Sequence, residues 1–89
     1  MPQVYGPITI KEVYTTKWNS LGREQASAQG RITINDKEES ILVSAFDAEI
    51  QQVENLQIGA KYNLKGLMRR KITSFNGELK VSFFLNLTD

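Results

Sequence analysis

The chain has 89 residues, 40% of them hydrophobic and 24% charged, with eleven Lys and Arg against ten Asp and Glu and with neither cysteine nor histidine. That is enough chain for one core and too little for two, so a single domain over residues 1–89 is expected. The missing residue types exclude thiolate nucleophiles, disulfide staples, zinc sites of the usual ligands and any imidazole base.

No stretch approaches the ~20 apolar residues that span a bilayer, and MPQVYGPITI lacks the basic start and apolar run of a signal peptide. The expectation is a soluble, cytoplasmic protein with no membrane partner. A net charge of +1 does not by itself require a polyanion, but the charge is unevenly spread. Residues 32 to 60 hold one Lys against six acids, a balance of −5, whereas residues 61 to 80 hold six Lys or Arg against Glu78, a balance of +5.

In chain order, Ile8 to Trp18 is rich in the β-branched and aromatic residues that strands prefer, and Asn19-Ser20-Leu21-Gly22 supplies turn chemistry. The pattern predicts a first strand and a loop. Ile8 and Ile10 share a parity that would put Glu12 and Tyr14 on their face, so burying Val13 and exposing Tyr14 requires one extra residue near Lys11-Glu12. Gln25 to Ile34 alternate, with Ala26, Ala28, Gly30, Ile32 and Ile34 on one face and Gln25, Ser27, Gln29, Arg31 and Thr33 on the other, a half-buried second strand. Asn35 to Glu39 reads as a polar turn and Ile41 to Phe46 as a third, apolar strand. Asp47 is a candidate N-cap, and Ile50, Val53 and Leu56 recur every three residues before Gly59, which predicts a short helix over about 47–57.

From Lys61 the two-residue period returns. Tyr62, Leu64, Gly66, Met68 and Ile72 face one way, while Lys61, Asn63, Lys65, Leu67, Arg69 and Lys71 face the other, giving a fourth strand with a basic outer face. Asn76-Gly77 is a strong hairpin signal, because a type I′ turn needs positive φ at both central residues. That turn sets Met68 opposite Leu85, Ile72 opposite Val81 and Gly66 opposite Leu87 as inward pairs. On the outer face it sets Arg69 opposite Phe84, Lys71 opposite Ser82 and Thr73 opposite Lys80.

The order β-β-β-α-β-β, with five short strands and one helix to plug the open end, is that of an all-β, five-stranded OB-fold barrel. The segment ILVSAFDAEIQQVENLQIGAKYNLKGLMRRK is similar to the strand, helix, G-x-x-Y-x-x-x-G stretch and basic strand of the bacterial type of single-stranded DNA-binding protein. The resemblance covers roughly half the chain, from Ser40 to Asp89, and the first forty residues match in strand order only. The sequence ends at Asn86-Leu87-Thr88-Asp89 without the long disordered region and acidic tip with which that family recruits replication partners, so the resemblance implies a minimal barrel.

Single strands are held by cations that follow the phosphates and by aromatic faces on which bases stack. Arg69-Arg70-Lys71 lead into a hairpin tip bearing Phe75, and Lys17-Trp18 lead into the first loop with Arg23 beyond it. In OB-folds these two loops flank the binding face, and the resemblance brings Trp18 and Phe75 to its two ends. Each residue also has a plainer reading. Arg69-Arg70-Lys71 can be a solvated face that guards a strand edge. Trp18 can pack over the barrel rim, Arg31 can touch phosphate or pair with a carboxylate, and Tyr14 joins the face only with the bulge. Phe84 can stack bases or lie, with Leu67, in a subunit interface.

Enzyme chemistry has little support. Asp47 with Glu49 is explained by a helix start and Glu38 with Glu39 by a solvated turn, and no phosphate loop, serine elbow or metal spacing occurs. No catalytic residue, cofactor, metal or small-molecule substrate is expected. The leading expectation is non-catalytic binding of single-stranded nucleic acid, with DNA preferred to RNA by the resemblance alone, in a homo-oligomer. The alternative is a protein-interaction or assembly module that docks through Phe84, Leu67 and the strand edges.

Overall fold

Short-range turn chemistry and two-residue alternation fold this chain into a ring of strands. The computed structural model describes residues 1–14, 16–18 and 20–88. Its strands are β1 (Gln3–Val13), β2 (Lys17–Trp18), β3 (Glu24–Ile34), β4 (Lys37–Phe46), β5 (Lys61–Phe75) and β6 (Glu78–Leu87), and a 3-10 turn at Asp47–Glu49 leads into the helix α1 (Ile50–Glu54). The long strands close in the order β1, β3, β4, β6, β5 and back to β1, antiparallel throughout except for the parallel pair β4 and β6. This is the OB-fold barrel, five long strands with one short helix. The two-residue β2 is a flap on it, pairing Lys17 with Gln25 and Trp18 with Glu24.

Ile8 and Ile10 of β1, Ala26 and Ala28 of β3, Ile41, Val43 and Ala45 of β4 and Leu85 of β6 fill the interior, and Ile50, Val53 and Leu56 from the helical segment close one end. The G-x-x-Y-x-x-x-G stretch has local reasons. The backbone N–H of Gln57 donates to the Tyr62 hydroxyl at 2.9 Å, tying the helix exit to β5. At Gly66 a Cβ would collide with the Asn86 carbonyl, so the close approach of β5 to β6 needs glycine. No helix among the described residues is long and apolar enough to cross a membrane.

The hairpin register is the expected one throughout, with Gly66 opposite Leu87, Met68 opposite Leu85, Arg69 opposite Phe84 and Ile72 opposite Val81, and Asn76 and Gly77 both have positive φ. The extra residue in β1 is also there, as a bulge between Ile10 and Glu12. Several boundaries differ. The first strand begins at Gln3, since Gln3 to Tyr5 pair with β5, and it ends at Val13, with Lys17-Trp18 forming a separate strand. Of the expected loop, Ser20 to Gly22 form a turn and bend, while Asn19 lies outside the described residues. The turn expected over Asn35 to Glu39 shrinks to Asn35-Asp36, both at positive φ, and Lys37 to Glu39 extend β4.

Asp47 does not cap the helix. It sits at φ 53 with no capping hydrogen bond, and its carboxylate turns to Arg23. The α-helical part ends at Glu54, ahead of the expected 57. Ile72 and Val81, expected as an inward pair compatible with a core, are 54% and 38% exposed, because the hairpin runs past the barrel as a two-stranded ribbon with no wall opposite.

Candidate nucleic-acid interface

On β4 the buried Ile41, Val43 and Ala45 force Leu42, Ser44 and Phe46 outward. The strand registers then align outward residues across four strands. One row is Gln29 of β3, Leu42 of β4, Phe84 of β6 and Arg69 of β5, and the next is Ser27, Ser44, Asn86 and Leu67. An open groove of about 480 Å³ lies over these rows, lined by Gln25, Leu42, Phe46, Leu67, Arg69 and Phe84 among others. Its floor is aromatic and aliphatic, and its rims carry amide, hydroxyl and guanidinium groups. Phe84 also borders two further hollows, one shared with Arg69, Arg70 and Lys71 and the other with Gln29, Ser40 and Leu42.

The bulge in β1 brings Tyr14 to the same wall. Its hydroxyl donates to Gln29 Oε1 at 2.9 Å, and Gln29 Nε2 donates to Ser40 Oγ at 3.1 Å. Desolvation, and after it the Glu12 carboxylate, push the Tyr14 phenol above its ordinary value. At one end of the groove Arg23 lies over the Phe46 ring, 4.7 Å from its centroid, with Nη2 2.5 Å from Asp47 Oδ2. Arg23 therefore braces Phe46, and it shares its charge with a carboxylate.

The other expected residues fall as follows. Arg69 and Lys71 share the outer face with Phe84 and Phe75, whereas Arg70 alternates to the opposite face of the ribbon, across from Phe83. Lys17, Arg69, Arg70 and Lys71 form no ion pair among the described residues. Arg31 has a carboxylate neighbour, with Nε 3.7 Å from Glu38 Oε1, and its side chain stays half exposed. Trp18 is 71% exposed on β2, so it does not pack over the rim, and Phe75 is 75% exposed at the ribbon tip. Leu67 is exposed, while Phe84, placed on the outer face as expected, is half-buried among its row neighbours.

Phe46 and Leu42 were not among the expected site residues. The parity of Ile41, Val43 and Ala45 was the available signal, but a strand whose residues are mostly apolar also reads as buried on both faces.

Two solved structures share this architecture. The SSB domain of a Synechococcus sp. protein superposes with a TM-score of 0.62 at 15% identity, covering 99% of this chain and 90% of that one. A small single-stranded DNA-binding protein from Streptomyces coelicolor gives 0.59 at 11% identity, covering 100% and 88%. This chain has their fold. No family model and no curated protein matches it by sequence.

Proposed function

We propose that the 89 residues act as one OB-fold domain that binds single-stranded DNA, without catalysis, across the outer wall of β3, β4, β6 and β5. The row Gln29, Leu42, Phe84 and Arg69, with Phe46 beside it, carries the reading, because it sets rings and a cation in one open groove. Aromatic faces accept any base at about 1–3 kcal/mol each, and the cations take phosphate without reading sequence. Trp18 and Phe75 extend the stacking surface to the first loop and the ribbon tip, with Lys17, Arg69 and Lys71 as phosphate contacts. The Streptomyces coelicolor neighbour is a single-stranded DNA-binding protein, which favours DNA over RNA.

Binding of an oligothymidine is expected to quench Trp18 fluorescence and to weaken steeply with salt. Unchanged fluorescence with no gel retardation at low salt would remove the reading, and a preference for duplex in a matched comparison with single-stranded DNA and RNA would redirect it.

A second reading draws on the ribbon flank, where Ile72, Leu79 and Val81 are exposed on one face. An apolar flank of this kind suits self-association. Light scattering over a concentration series is expected to show a dimer or larger assembly. If Phe84→Ser abolishes assembly and leaves DNA binding intact, the interface lies on the outer face with Phe84 and Leu67 and not on the ribbon flank, which is the opposite face.

A further inference from the structure

On the wall away from the groove, β1 sits at the centre of a second group of cations. Thr9 stands opposite Arg31 of β3 on one side and Lys61 of β5 on the other, so the three form one row over three strands. Directly opposed residues hold their Cβ atoms about 5 Å apart, which brings both cations within reach of one small anion above Thr9. Lys11, displaced by the bulge, borders the same hollow of about 300 Å³ with Thr9, Arg31, Lys61 and Glu38. Glu38 offsets Arg31 in part, at 3.7 Å, and Lys11 and Lys61 form no ion pair among the described residues.

In the ring, β1 is flanked by β3 and β5, whereas the groove is centred on β4 and β6, so the two sites occupy opposite walls. One strand joins them. The outward positions of β5 from 61 to 71 are Lys61, Asn63, Lys65, Leu67, Arg69 and Lys71, all exposed and none acidic. At ~3.3 Å per residue they form a cationic track of about 33 Å.

We propose that this hollow is a second phosphate-contacting site for the same nucleic-acid strand, which leaves the groove at Arg69, follows β5 past Lys65 and ends on Lys61, Lys11 and Arg31. This rests on the groove binding a single strand. The hollow has cations and hydroxyls but no aromatic ring in its lining, so it holds backbone and leaves the bases to solvent. The domain then engages a longer segment than its groove alone covers.

The test is fluorescence anisotropy on the full chain with oligothymidines of about six and about sixteen nucleotides, lengths near the two ends of the range one OB barrel occupies. The double variant Lys11→Ala/Lys61→Ala is expected to bind the short oligomer as the unmodified protein does. For the long one it should lose several-fold in affinity, with a log K against log salt slope flatter by about 1.4, or about 0.7 for each lost contact. An equal loss on both lengths, or no loss on either, would overturn the second site while leaving the groove in place. Failure of the unmodified protein to bind the short oligomer would overturn the groove, and the second site with it.

Discussion

The two ends of the β5–β6 hairpin obey one register and meet two environments. Near the barrel, Leu64, Leu85 and Leu87 are buried and Met68 packs against the core, whereas farther out the residues of the same face, Ile72, Val81 and Leu79, are exposed. Alternation decides which residues share a face, but burial needs a second wall. That wall stops early, since β1 pairs with β5 no farther along it than Gly66 and β4 pairs with β6 only from Phe83 onward. The inner part of the hairpin therefore belongs to the core, and the ribbon is left exposed on both faces.

The largest expected effect separates those two parts. Leu85→Ala, at a position with no exposure, is expected to lower unfolding free energy by about 2–5 kcal/mol in urea, while Ile72→Ala changes it by less than about 1 kcal/mol. Comparable losses would show that the ribbon packs on something in solution and would break the division.

Next come the rings. Phe84→Leu keeps much of the apolar area and removes the stacking face, so oligothymidine affinity should drop by about 1–3 kcal/mol with most of the thermal stability retained. Phe75→Ala, at the exposed tip, should weaken binding by a similar or smaller amount with an unchanged melting temperature. A melting temperature that falls with Phe75→Ala would assign that ring to packing. The smallest effect belongs to the exposed ion pair. Asp47→Asn should cost no more than about 1 kcal/mol of stability by calorimetry, because Arg23 and Asp47 meet in solvent.

What could be read from the residues alone divides along the same line. Asn76-Gly77 fixed the pairing of β5 with β6 because a turn is local chemistry, and the parity of Ile8 and Ile10 against Val13 located the bulge for the same reason. Where contacts are distant in sequence, the reading fell short. The limit of the core at Met68 depends on where β1 and β4 end, the exposure of Trp18 depends on β2 folding onto Glu24 and Gln25, and the role of Asp47 depends on Arg23. The groove itself is a product of closure. Leu42, Phe84 and Arg69 come from three strands, and only the parallel pairing of β4 with β6 puts them in one row.

The central claim is that this row faces the bound strand, and amide chemical-shift mapping with an oligothymidine at low salt tests it most directly. The expected result is a continuous band of shifted resonances through Leu42, Phe84, Arg69 and Lys71, with Ile50 to Glu54 of the helix undisturbed. Shifts concentrated on the helix, or an unperturbed spectrum at saturating oligomer, would contradict it.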